Sequence, residues 1–195
     1  AIATVTALGS VPTFSAIVAY VVLGEMPGKS WYLGTSVTVV GIILVGTANG
    51  VDSFKPLGIL LAAFAGFGFA VFNVVSRKSL SRGAQDIWLT ATSFGIAAVL
   101  TIPFLFAQSP DWILTRNGGL SVLWLGLVPT AIGYFLFTFG LKRIDSSTAA
   151  TVVLAEPATA TILAAIVIGE TLVVQSYAGI LVVALGILYI SRARR

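Results

Sequence analysis

The stretch LAEPATATILAAIVIGE, Leu154 to Glu170, sets a carboxylate and a proline side by side inside an apolar run. Glu156 is the residue of this chain on which chemistry would turn. It lies ten residues in from Ser146, and at about 1.5 Å per helical residue that is about 15 Å deep. This is the middle of a hydrocarbon layer about 30 Å thick. A charged side chain there costs on the order of 2.5–3.5 kcal/mol on insertion scales. Glu156 must therefore face a polar cavity, meet a donor, or stay protonated. Two roles fit: binding a substrate or a coupling proton, or a structural carboxylic acid hydrogen-bonded across helices. Pro157 lacks an N–H, which leaves the Val153 carbonyl without its helical partner. Carboxylate and freed backbone thus fall within one turn of each other.

Few other polar groups lie at depth. Tyr134 is near the middle of its apolar run and offers a π-face and a hydroxyl. Thr130 and Thr138 stand four residues to either side, so regular helical spacing places all three on one face. That stripe, with Pro129 beside it and Glu156, sketches a substrate pocket. Asn73, in FAVFNVVSRK, is either a ligand contact or a hydrogen bond between helices. The chain has no His and no Cys. Thiolate and imidazole metal sites, disulfides and Ser-His or Cys-His pairs are thereby excluded. No paired carboxylates are placed for acid–base work, and neither a metal nor a cofactor is expected.

The elements that position these residues follow from composition. Of 195 residues, 57% are hydrophobic and only 9% charged, against about 25% charged in soluble domains. Mean hydropathy is +1.03. Such a chain cannot cover a water-soluble surface, so the lipid bilayer is its solvent. Seven runs are long and apolar enough to span it: Thr4–Leu23, Trp31–Ala48, Pro56–Val75, Ile87–Phe106, Leu120–Leu141, Thr148–Ile168 and Ser176–Ile190. They lack the alternation of a membrane barrel, so the expected class is an all-α polytopic membrane protein. Asp86 and Asp145–Ser147 read as N-caps of the helices that follow. Trp31, Tyr32, Trp88, Trp112, Tyr177 and Tyr189 fall near span ends, as interfacial aromatics do.

Nine of the eleven basic residues fall in alternate connections: Lys29; Arg77, Lys78 and Arg82; Lys142 and Arg143; Arg192, Arg194 and Arg195. Only Lys55 and Arg116 fall on the other side. By the positive-inside rule the richer side, with the C-terminus, faces the cytoplasm. The formal net charge of +4 is therefore a topology signal, and no nucleic-acid partner is expected.

The sequence also repeats itself. An offset of 145 positions lays Pro12 on Pro157, Gly24 on Gly169, Glu25 on Glu170, Gly34 on Gly179 and Gly41 on Gly186. Prolines, Gly-Glu pairs and glycines align together, which apolar composition alone does not produce. Val11 stands where the second copy has Glu156, so the proline belongs to both copies and the acid to one. Pro12 and Pro157 read as paired breaks with structural or gating roles; Gly24, Gly169, Glu25 and Glu170 read as the stops that end each span. The copies are five spans apart. An odd number inverts one against the other, the pattern of secondary transporters that bind substrate near midplane between halves. A five-plus-five arrangement has ten helices, so about three are expected before residue 1. The chain opens on AIATVTALGS, already inside an apolar run and without Met, as a truncated or processed chain would.

The stretch Leu125 to Leu172, with its Leu-x-Glu-Pro and Gly-Glu motifs, resembles the EamA-type transporters of the drug/metabolite transporter superfamily. FAVFNVVSRKSL, Phe69 to Leu80, is similar to the first helix of that family's second repeat, although the family often has Trp where Phe69 stands. The resemblance implies a ten-helix inverted-repeat protein, with residues 1–50 as the last two helices of the first repeat and 51–195 as the second. It also implies transport of a small organic metabolite across the cell membrane. It leaves open the substrate, direction, coupling ion and oligomeric state. An intramembrane enzyme or a non-transporting membrane module are the competing readings. The first wants a nucleophile with its base or a metal cluster, and a channel wants a charged ring or filter.

Overall fold

The computed structural model describes residues 2–50, 55–106 and 110–193. Every regular element among them is helical. In chain order they are α1 (Ile2–Leu23), α2 (Lys29–Thr47), α3 (Pro56–Ser81), α4 (Asp86–Phe106), a 3₁₀ turn (Pro110–Leu114), α5 (Arg116–Leu125), α6 (Gly133–Leu141), α7 (Ser146–Val153), α8 (Ala155–Leu163) and α9 (Val174–Ala193). Wider π-wound stretches, Gly126–Ile132 and Ala164–Ile168, continue α5 into α6 and extend α8. The result is seven helical stretches long and apolar enough to cross a membrane.

These spans match the apolar runs of the sequence, with the ends shifted by a few residues, most at three spans. α3 continues past Val75 through Arg77 and Lys78 to Ser81. The fifth span starts at Arg116 rather than Leu120, because Thr115 caps it: the Thr115 side chain accepts a hydrogen bond from the Gly118 N–H at 3.1 Å. The last span starts at Val174 and runs to Ala193. Arg194, Arg195 and the stretch 51–54 lie outside the described residues.

Two expected N-caps differ. Asp86 is the first residue of α4, buried, and its carboxylate pairs with the Lys142 ammonium. Asp145 has the extended backbone of an N-cap, φ −67° and ψ 153°, but its side chain makes no capping bond. Trp31 differs from the other aromatics at span ends. It is buried, and its indole N–H donates to the Ser147 carbonyl at 2.9 Å, whereas Tyr32, Trp88, Trp112, Tyr177 and Tyr189 are exposed.

The chain divides into two compact units, one of Ala1–Val75 with Asp145–Arg195 and one of Ser76–Ile144. The first unit contains both copies of the repeated phrase. Its core is Ile42, Leu154, Ala158 and Val183, with Val5, Leu8, Val39, Ile180 and Ile187 packed around it. α2 and α9 lie antiparallel in close contact, because glycines replace side chains where they cross. A Cβ built on Gly34 would stand 3.1 Å from the Gly186 carbonyl, and one built on Gly186 would stand 2.8 Å from that of Gly34. Small residues at such crossings let helix backbones approach in a lipid solvent.

Polar bonds tie the N-terminal half of the sixth span into the same unit. Asn73 Nδ2 donates to the Ser146 carbonyl at 2.8 Å and to Ser15 Oγ at 3.3 Å. The Thr35 and Thr151 hydroxyls are 2.9 Å apart. With Trp31, these contacts hold α7 to α1, α2 and α3, and Ser146 through Thr151 are all buried.

In the second unit, α4 and α6 meet through Thr90 and Thr138, whose hydroxyls are 3.3 Å apart. Phe94 packs edge-on against Tyr134, ring centroids 4.5 Å apart. At one end of this unit Arg77 donates to the Lys142 carbonyl at 2.9 Å, bringing two of the basic connections together.

Candidate functional site

The span carrying Glu156 is interrupted where Pro157 requires it. α7 ends at Val153, Leu154 turns with φ −63° and ψ −8°, and α8 begins at Ala155. Pro157 therefore sits in the first turn of α8, where a missing N–H costs no helical hydrogen bond. The first copy behaves differently. α1 runs from Ile2 to Leu23 as one helix with Pro12 inside it, and Pro12 is fully buried. The prolines are shared by the repeat, but only the second divides its helix.

Just past that break, Glu156 is exposed and opens on a cavity of about 350 Å³ between α1, α2 and α8. Glu156, Pro157, Thr161, Val5, Leu8 and Ile42 are among its lining residues. Among the described residues, Glu156 is the only ionisable one in that lining. Val11, its counterpart in the first copy, is buried at 2% exposure. The repeat thus puts an aliphatic side chain into packing on one side and a carboxylate into a hollow on the other. Thr4 and Thr161 line the same cavity and escaped sequence reasoning. Thr161 follows Glu156 by five residues and Thr4 lies on another helix, so neither shares a face with it by helical spacing. A larger hollow of about 620 Å³ lies over α2 and α9, but Leu33, Val37, Leu185, Leu188 and Tyr189 make it apolar, and its charge, Arg192, is at the helix end.

The other sequence candidates resolve into local structural roles. Asn73 is fully buried and bonded to Ser146 and Ser15. Thr138 is fully buried, and its hydroxyl reaches the Tyr134 and Phe135 carbonyls, each at 3.0 Å, as well as Thr90. Thr130 Oγ1 donates to the Leu125 carbonyl at 2.8 Å, the acceptor that Pro129, four residues on, cannot serve. Pro129 lies inside the π-wound stretch. The 3.6-residue spacing that would stack Thr130 over Tyr134 therefore does not hold there, while Tyr134 and Thr138 within α6 keep it. Tyr134 and its threonines belong to the second unit and Glu156 to the first.

Gly24 and Gly169 end their spans in the left-handed conformation, φ 69° and 75°, which glycine adopts without a Cβ penalty. The bonds around them repeat as well: Glu25 N–H to the Ala19 carbonyl at 3.3 Å and Glu170 N–H to the Ala164 carbonyl at 3.4 Å. These pairs are again 145 residues apart. Glu25 is half-buried beside Asp145 in a hollow of about 330 Å³, and Glu170 is exposed.

The EamA-like transporter family model matches residues 56–192, well over half of the chain. The chain belongs to this family. An EamA protein with seven helices long and apolar enough to cross a membrane is a multi-pass integral membrane protein. The chain is 36% identical over its whole length to the uncharacterized transporter YwfM of Bacillus subtilis, covering 66% of that protein. It is 26% identical over 86% of its length to an uncharacterized transporter of Clostridium kluyveri, covering 56% of it. Against the uncharacterized transporter YdfC of Bacillus subtilis the figures are 26% identity and 82% and 52% coverage. The chain thus spans about half to two thirds of the length of these relatives. A crystal structure of another protein superposes with a TM-score of 0.81 at 20% identity, over 97% of this chain and 68% of that one, which establishes a common fold.

Proposed function

We propose that this EamA protein is a secondary transporter that moves a small organic metabolite by alternating access, with Glu156 as the group that takes the substrate or a coupling proton. The observation that carries this reading is the placement of Glu156: a carboxylate at mid-span, just past a helix break, opening on a cavity. A carboxylate at that depth is costly unless it is used. A hinge beside it supplies the means to change which side it faces.

The inverted-repeat reading extends this. Residues 1–50 are the end of a first repeat and 51–195 a second, together part of a ten-helix protein in the cell membrane with its C-terminus in the cytoplasm. The bond-for-bond repetition at Gly24–Glu25 and Gly169–Glu170 supports duplication. The antiparallel glycine crossing of α2 and α9 supports inversion. Each glycine there meets the other helix's glycine of the opposite repeat position, as a two-fold relation requires.

Counterflow in proteoliposomes tests transport: preloaded solute should accelerate uptake of labelled solute only when the intact protein is present. Glu156→Gln should abolish that acceleration or its dependence on a pH gradient. Unchanged counterflow and unchanged pH dependence would remove Glu156 from the mechanism. Impermeant labelling of cysteines placed at positions 25 and 170 tests inversion; labelling from the same side of the membrane refutes it.

A further inference from the structure

The Glu156 cavity has a chemical character that narrows what it accepts. Among the described residues its lining contains no Lys or Arg, no cation pairs with the Glu156 carboxylate and no hydrogen bond reaches it. The remaining wall is aliphatic, chiefly Val5, Leu8, Ile42 and Val45. Its two hydroxyls belong to Thr4 and Thr161. Thr161 already donates its hydrogen to the Pro157 carbonyl at 2.8 Å, so towards the cavity it offers only acceptor capacity. The polar groups of the lining are thus one carboxylate and two threonine hydroxyls, in an otherwise greasy hollow.

We infer that this cavity takes a small organic monocation: an amine protonated at neutral pH on a compact apolar body. The inference rests on Glu156 being the substrate site of the transporter proposed above. An ammonium matches each feature. Its charge offsets the cost of a carboxylate at mid-membrane depth. Its N–H groups donate to the carboxylate in a charge-assisted bond, and its hydrocarbon body meets the aliphatic wall. A zwitterion brings a second carboxylate that finds no cation and one uncommitted hydroxyl. An anion is repelled. A neutral apolar solute leaves the Glu156 charge uncompensated. The cavity volume of about 350 Å³ lies within the range of small-molecule sites, roughly 300–1,000 Å³, and near its lower end, where a compact amine fits.

Four solutes sharing one ring test the assignment: cyclohexylamine, cyclohexanol, cyclohexanecarboxylate and 1-aminocyclohexanecarboxylate, titrated calorimetrically into the purified intact protein at neutral pH. Cyclohexylamine should bind at least tenfold more tightly than the alcohol or the zwitterion, with no binding of the carboxylate. Glu156→Gln should erase the preference for the amine and leave the alcohol unchanged. Glu156→Asp keeps the charge but withdraws it by one methylene; it should weaken the amine several-fold and not the alcohol, and it serves if the Gln variant does not fold. A zwitterion or carboxylate that rivals the amine, a preference that survives Glu156→Gln, an amine affinity unmoved by Glu156→Asp, or binding of none of the four overturns the inference. Counterflow separates the two readings. Amine selectivity without counterflow of any solute defeats the transport reading alone. Counterflow of a zwitterion or an anion that is unaffected by the amine defeats the cation assignment alone.

Discussion

Gly41 and Gly179 face each other across α2 and α9 so closely that a Cβ built on either would lie 2.9 Å from the carbonyl oxygen of the other. Gly34 and Gly186 repeat the relation two turns away, in reversed order along the chain. The sequence repeat pairs Gly34 with Gly179 and Gly41 with Gly186; space pairs them crosswise. Duplicated helices that pack antiparallel about a two-fold axis meet in this way, each residue touching the partner of its neighbour.

Gly41→Leu or Gly179→Leu should therefore force the two helices apart. Overpacking of a tight contact costs about 1–3 kcal/mol, and both variants should unfold at lower temperature in detergent. Gly95→Ala is the contrast: an added Cβ there meets nothing within 4 Å. Relief of glycine's backbone entropy should stabilise α4 by roughly 0.5–1 kcal/mol. A melting series read by near-ultraviolet circular dichroism checks both signs.

The Gly-Glu stops make a separate prediction. A left-handed backbone costs an L-residue roughly 1–2 kcal/mol, so Gly24→Ala and Gly169→Ala should each lower thermal stability, and Asn should be tolerated better than Ala at both. The two sites lie at the ends of different spans, so the losses should add in the double variant. A Gly24→Ala variant as stable as the wild type would contradict the cap assignment.

Span count, most span limits to within a few residues and the recurrence of the Gly-Glu stops were legible, because each follows from apolar run length or residue identity. The stripe of Thr130, Tyr134 and Thr138 was not. Pro129 widens the winding between Gly126 and Ile132, and counting residues assumes that the winding is uniform. The burial of Trp31 was hidden for another reason. Its place at a span end says nothing of the hydrogen bond to Ser147, which only the neighbouring helix supplies. α7 buries Ser146 through Thr151 without a break, so no periodicity of polar and apolar residues marks a buried face there.

Asn73 tests how far burial separates scaffold from site. Its amide holds the Ser146 carbonyl at 2.8 Å in a fully buried setting. Asn73→Ala should cost about 1–3 kcal/mol, the penalty of a buried polar group left unpaired. Ligand affinity in the remaining folded protein should be unchanged. Thr138→Val should behave likewise, weakening the contact with Thr90 without moving affinity. A tenfold loss of affinity in either variant, at unchanged fold, would return that residue to the binding site.

Pro157 separates binding from movement. Pro157→Ala restores an N–H that can reach the Val153 carbonyl and so allows α7 and α8 to join through Leu154. α7 is held by Asn73, Trp31 and Thr35, whereas Glu156 in the first turn of α8 is exposed. Joining the halves ties the carboxylate to the clamped segment. The expected variant is at least as stable as the wild type and binds ligand with affinity within a few-fold, yet its counterflow rate falls by an order of magnitude or more. Pro12→Ala, in a helix that is already continuous, should leave the counterflow rate far less affected. Equal losses in the two variants would mean that the break at Leu154 is not the joint.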